Sequence, residues 1–150
     1  MELKDEILIP APRETVYAAL NDPEILRQSI PGCEELVKTS DTELEAKVLL
    51  KVGPVKARFA GDVTLGVSEA PAKFTLTGQG SGGAAGFAKG SAEVWLEDRG
   101  DETLLTYDAK AEIGGKLAQL GSRLVQGTAK KLAAKFFRNF ADTVGESEPT

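Results

Sequence analysis

The sequence contains no histidine, and among its 150 residues there is one cysteine, one methionine and one tryptophan. The missing imidazole removes the commonest general base and the commonest metal ligand together. The lone Cys33 cannot form an internal disulfide, and a single thiol fits a reducing compartment such as the cytoplasm. Cys33 follows Pro31-Gly32 in a loop and has no imidazole to activate it, which argues against nucleophilic catalysis. There is no Cys-x-x-Cys pair, no phosphate loop and no acid cluster at metal-ligand spacing. No apolar run approaches the roughly 18 residues of a membrane span, and no N-terminal basic start leads into an apolar run, so no signal peptide is expected.

What is present is ordinary in bulk. Hydrophobic content of 41% and charged content of 27% suit one soluble domain with a real core. Residues 1–145 are read as that domain, and 146–150 as a loose tail. A net charge of -5 argues against general nucleic-acid binding. The charge is unevenly spread, however. Between Ile113 and Ala141 stand Lys116, Arg123, Lys130, Lys131, Lys135 and Arg138 with no acid among them. That stretch therefore carries +6, leaving -5 - 6 = -11 for the rest.

The same stretch, from Gly115 to Val144, lacks proline and is rich in good helix formers. At about 100° per residue, Val125, Ala129, Leu132, Phe136 and Phe140 share one face and the six cations lie opposite. Leu117, Leu120 and Leu124 fall on the cationic side, so the helix either bends near Gly121 or Gly127 or leaves these leucines partly exposed. Such a helix needs a broad apolar surface to cover.

The preceding chain supplies one. Leu3, Ile7 and Ile9 mark a first strand. Pro12 opens a short helix over 13–20, and Asn21-Asp22-Pro23 ends it and caps a second over 24–27. From Glu34 to Gly114 the apolar period is two almost throughout, with turns at Gly53-Pro54, Ala70-Pro71 and Arg99-Gly100-Asp101. Clean alternation means one wet and one buried face, as in an antiparallel sheet. The expected fold is α+β, a curved antiparallel sheet wrapped around a long C-terminal helix, with two short helices after the first strand.

Gly78-Gln79-Gly80-Ser81-Gly82-Gly83 matches G-x-G-x-x-G, but the residues after it resume as a strand. The dinucleotide fingerprint needs a strand turning into a helix, so bent-strand glycines are the better reading. Glu43/Glu45 and Glu97/Asp98 fall on solvated positions rather than in a site. Trp95 is outward by parity. Inward Phe59, Phe74, Tyr107, Leu132 and Phe136 either fill a core or line a cavity. The many small inward residues, Ala57, Gly61, Gly78, Gly80, Ala92, Ala109 and Ala111, favour a cavity. Its mouth is expected at Ile30, Pro31 and Gly32.

The element order, together with LNDPEILRQSIPGCEEL, VGPVKARFAGDVTL, GQGSGGAAGFAKGSAEVWL, GGKLAQLGSRLV and AAKFFRNF, resembles the G-subunit family of carbon monoxide dehydrogenase, within the START-like (SRPBCC) helix-grip superfamily. The resemblance covers nearly the whole chain. It implies a non-catalytic accessory of a molybdenum carbon monoxide dehydrogenase or related hydroxylase. It also implies an internal cavity for an apolar ligand such as a quinone or lipid, with no cofactor of its own. The basic arc of the last helix suits an anionic membrane surface at the inner face, or the partner enzyme. Two other readings remain: a START-like enzyme of cyclase or dehydratase type, for which Tyr107 is the one inward ionisable group, and a stand-alone carrier of a hydrophobic small molecule.

Overall fold

The structure, a computed structural model, describes residues 1–147. Seven strands form one antiparallel sheet: β1 (Glu2–Ile9), β2 (Cys33–Ser40), β3 (Glu43–Val52), β4 (Val55–Gly66), β5 (Lys73–Ser81), β6 (Phe87–Arg99) and β7 (Glu102–Gly114). Their order is β1-β7-β6-β5-β4-β3-β2. Each consecutive pair from β2 to β7 is therefore a hairpin, and β1 returns to the far edge beside β7. Helices α1 (Arg13–Leu20) and α2 (Pro23–Ser29) follow β1, and α3 (Lys116–Gln119) and α4 (Ser122–Ser147) follow β7. This is the α+β arrangement that the alternation and the final amphipathic segment predict.

Local chemistry sets the helix boundaries. Pro12 stands before α1 in an extended conformation, and the Asp22 carboxylate caps α2 by accepting from the Glu24 amide at 2.9 Å. Pro23, at the first turn of α2, gives up an amide that the helix would leave unbonded.

The segment Gly115 to Val144 is not one helix. Gly121 takes φ +95°, a left-handed conformation that L side chains rarely adopt, and the chain breaks there. The break explains the three misplaced leucines. Leu117 is buried and Leu120 half-buried in their own short turn, while Leu124 begins the next helix at 39% exposure. At the other end α4 continues to Ser147, two residues into the segment 146–150 read as a tail; residues 148–150 lie outside the described ones.

The glycine run does not lead into a helix. β5 passes through a single 3-10 turn at Gly83–Ala85 into β6, so the dinucleotide context is missing. The inward glycines instead allow the sheet to coil. Gly61 pairs with Gly80, Gly78 with Gly90, and Gly90 with Ala111. A Cβ on Gly61 would sit 2.6 Å from the Gln79 carbonyl oxygen, and one on Gly78 2.7 Å from that of Asp62; one on Gly90 would collide with the Lys110 carbonyl. The obstacle in each case is backbone, which cannot step aside as a flexible side chain would. Gly90→Ala is expected to destabilise the domain by about 1–3 kcal/mol, as overpacking does. Urea unfolding of the variant measures it, and an unchanged midpoint would contradict this account of the coil.

Two apolar clusters form the core, and the larger holds α4 against the sheet. The larger gathers Ile9, Ala11, Val16, Ala19, Phe74, Val94, Leu96, Leu105, Phe140 and Val144, joining α1, the sheet and the C-terminal half of α4. The smaller gathers Val52, Phe59, Ala85 and Leu117 around α3. Two polar residues, Thr103 and Ser29, are fully buried, and both are bonded. Thr103 Oγ1 donates to the Ala11 carbonyl at 2.8 Å, and Ser29 Oγ to that of Ile25 at 2.7 Å. Asn139 Nδ2 donates to the Ser29 carbonyl at 3.1 Å, tying α4 to the end of α2.

Candidate functional site

Between the two clusters the helix and the sheet face each other without filling the space. Val125, Ala129, Leu132 and Phe136 on α4, and Val48, Leu50, Leu76, Ala92, Ala109 and Ala111 on the strands, are only half-buried although they point inward. They line a cavity of about 720 Å³, within the size range of small-molecule sites. The cause lies in the sequence. Much of the strand wall is Gly61, Gly78, Gly80, Gly90, Ala92, Ala109 and Ala111, too small to fill the space that Val48, Leu50 and Leu76 leave.

Of the predicted lining, Phe59, Phe74, Leu132 and Phe136 all border this cavity. Ile30 borders it too, but Pro31 and Gly32 do not. Gly32, at φ +78°, is pinned against β3 instead: its carbonyl accepts from the Leu49 amide at 2.8 Å, and a Cβ there would strike the Leu49 carbonyl. Tyr107 is placed elsewhere. It points to the inner side of β7 but stacks on Phe137, ring centres 5.3 Å apart and 18° from parallel. It borders a second space of about 850 Å³ between β1 and α4. Phe137 borders both spaces and so stands as the partition between them. Sequence reasoning missed Phe137 because it followed the Phe136 face; the four-residue spacing of Ala133, Phe137 and Ala141 was the signal for a second helix row.

The chemistry of the main cavity is that of a container. Its inward-facing side chains are apolar apart from the Thr128 hydroxyl, and none of them is ionisable among the described residues. Asp62, Gln79, Lys89, Ser91 and Lys110 also border it, yet alternation directs their side chains to the outer face, where the same five line a polar groove. Burial, and after it the Asp5 carboxylate, pushes the Tyr107 phenol above its usual range. Burial likewise raises the Cys33 thiol, keeping it protonated and a poor nucleophile near neutrality. Glu43, Glu45, Glu97 and Asp98 are exposed, and no acid–base pair forms from them. Trp95 is half-buried on the outer face beneath the Lys73 ammonium, 5.7 Å from the ring centre.

All six cations of the last segment, Lys116, Arg123, Lys130, Lys131, Lys135 and Arg138, are exposed. None of them belongs to an ion pair among the described residues, whereas Lys4, Arg27, Lys47, Arg58, Lys73, Lys89 and Arg99 all do. Lys130 and Arg138 border the space between β1 and α4; the other four border neither space. Among the described residues no helix is long and apolar enough to cross a membrane, and no group of three or more Cys, Asp or Glu could hold a metal ion.

Comparison with known proteins places this architecture. The family model for the carbon monoxide dehydrogenase G-subunit (CoxG) matches residues 6–145. No curated protein matches the sequence. Among solved structures, a conserved protein from Geobacillus kaustophilus is 28% identical with a TM-score of 0.90, the match covering 98% of this chain and 97% of that one. A START superfamily protein from Mycobacterium smegmatis is 16% identical, with a TM-score of 0.73 over 98% of this chain and 99% of its own. The ZhuI aromatase/cyclase from Streptomyces sp. R1128 is 10% identical, with a TM-score of 0.70 over 96% and 93%. The last two likenesses establish a shared START-like fold.

Proposed function

Since the chain belongs to the G-subunit family of carbon monoxide dehydrogenase (CoxG), we propose that it is a non-catalytic accessory of a molybdenum carbon monoxide dehydrogenase or related hydroxylase. It holds an apolar molecule, such as a quinone or a lipid, and helps bring the enzyme to the inner face of the membrane. The observation that carries the reading is the cavity of about 720 Å³ under α4, whose inward-facing side chains are apolar but for one hydroxyl. Displacing water from such a wall contributes roughly 25 cal/mol for each Å² covered, enough to retain a ligand without a single ion pair. A cyclase-type enzyme would have to place an acid or base inside the cavity, and Tyr107, the inward candidate, borders the other space.

Recruitment rests on the four exposed cations that border neither space and have no ion-pair partner among the described residues, Lys116, Arg123, Lys131 and Lys135. Anionic lipid attracts each well-placed Lys or Arg by about 1 kcal/mol, and salt screens the attraction. The triple variant Arg123→Glu, Lys131→Glu, Lys135→Glu removes three of them from helix positions that bury nothing. Its thermal unfolding should match the wild type. Its attachment to anionic vesicles, or to a co-expressed partner enzyme, should fall roughly a hundredfold, and the salt dependence should flatten. Co-sedimentation at low and high salt reads this out. A wild-type protein that binds neither vesicles nor enzyme would overturn the recruiting role and leave the ligand-holding role to its own test.

A further inference from the structure

The cavity under α4 has one polar feature that the fold does not use. Val125, Thr128, Ala129, Leu132 and Phe136 recur at three- and four-residue steps and form the stripe of α4 that borders it. Thr128 is the one residue of that stripe with a hydroxyl, and it is half-buried. A serine or threonine inside a helix commonly turns its hydroxyl onto the carbonyl four residues back. Ser29 does so in α2, donating to the Ile25 carbonyl at 2.7 Å, and the buried Thr103 hydroxyl reaches the Ala11 carbonyl at 2.8 Å. Thr128 makes neither kind of bond. Among the described residues its hydroxyl has no hydrogen-bond partner.

Its place along the helix defines what it suits. Toward α3 the stripe has only Val125 left; in the other direction it runs on through Leu132 to Phe136, about 12 Å along the axis, with no further polar side chain. A ligand lying along α4 therefore meets one donor near one end and apolar wall beyond it. None of the inward-facing side chains is ionisable, so a charged headgroup would be left without a partner. A hydrocarbon covers the wall as well as any ligand, but it strips the hydroxyl of water and offers it nothing. A carbonyl oxygen needs one donor, and the wall supplies one. Beside a hydrocarbon the hydroxyl can still turn back on the Leu124 carbonyl, so the discrimination is that of a single neutral hydrogen bond, about fivefold.

We propose that Thr128 is a specificity-determining residue of the cavity: its hydroxyl donates to a carbonyl oxygen near one end of an otherwise apolar, uncharged ligand, whose body lies along Leu132 and Phe136. The inference rests on the reading of this space as a ligand site and narrows it, from apolar molecules in general to those that carry a carbonyl at one end. It does not depend on the partner enzyme or on the membrane.

The test uses two probes of the same shape, 2-acetylnaphthalene and 2-ethylnaphthalene, each displacing the neutral dye N-phenyl-1-naphthylamine from the full chain. Thr128→Val keeps the branched shape and removes the hydroxyl, whereas Thr128→Ser keeps the hydroxyl. Relative to the wild type, Thr128→Val should bind the ketone about fivefold more weakly and the hydrocarbon no more weakly. Thr128→Ser should keep most of the wild-type affinity for the ketone. In the infrared, the carbonyl stretch of the bound ketone, isotopically labelled at that carbon, should lie lower in the wild type and Thr128→Ser than in Thr128→Val. If both probes bind and Thr128→Val leaves their affinity ratio unchanged, or if the carbonyl band falls at one frequency in all three proteins, the inference is overturned and the ligand-holding role stands. A wild type that binds neither probe nor the dye would overturn both together.

Discussion

Replacing Phe140 by alanine is expected to cost about 3–5 kcal/mol, and the same change at Phe136, four residues earlier on the same helix, about 1–2 kcal/mol. The two rings stack 5.8 Å apart, but their surroundings differ. Phe140 is fully buried with Val144, Ile9 and Val16, all at 0% exposure, and truncating it leaves a hole that the neighbours cannot close. Phe136 is half-buried on the cavity wall, so its removal enlarges a space that already exists. A typical domain is stable by only about 5–15 kcal/mol, so the first change brings this one close to unfolding and the second does not. Urea titration of both variants measures the difference. Equal losses would mean that Phe136 is packed as core and that the space beside it closes in solution.

Enlarging a side chain on the cavity wall should have the reverse effect. Ala129 lies in the middle of α4, half-buried, with the cavity before it. In a filled core, Ala129→Phe would force neighbours out of place at a cost of about 1–3 kcal/mol. Beside a void the new ring covers apolar wall that is now bare, and filling such a space is expected to raise stability by about 0.5–2 kcal/mol. The same ring takes the place of a ligand. Binding of a neutral apolar dye such as N-phenyl-1-naphthylamine should fall more than tenfold, while the melting temperature holds or rises. A falling melting temperature with unchanged dye binding would contradict the account on both points.

Much of the fold was legible because it rests on period and punctuation. Alternation along β3 to β7 and the helical face of Val125, Ala129, Leu132, Phe136 and Phe140 are local signals, and turns at Gly53-Pro54 and Arg99-Gly100-Asp101 set the hairpins. The break at Gly121 was visible as an ambiguity, since three leucines fell on the wrong side. What decided it was a left-handed backbone angle that the sequence permits but does not demand. The site was legible in part. Small inward residues opposite the helix forecast a poorly filled interior, and four of the five predicted lining residues border it. Tyr107 did not follow, because parity assigns a face of the sheet but not a place along it; only the path of α4 over β7 puts that ring behind Phe137. Pro31 and Gly32 failed for a similar reason. A turn signal says that the chain bends, and the hydrogen bond from Leu49 to Gly32, a tertiary contact, fixes which way.

The measurement that bears most directly on the central claim is native mass spectrometry of the wild type and the Ala129→Phe variant, each purified without detergent from cells that normally produce the protein. If the space under α4 holds an apolar molecule, the wild type should carry a stoichiometric adduct that organic solvent extracts, and the variant should carry little or none. A wild type that flies at the mass of the bare chain, or an adduct retained equally by the variant, would contradict it.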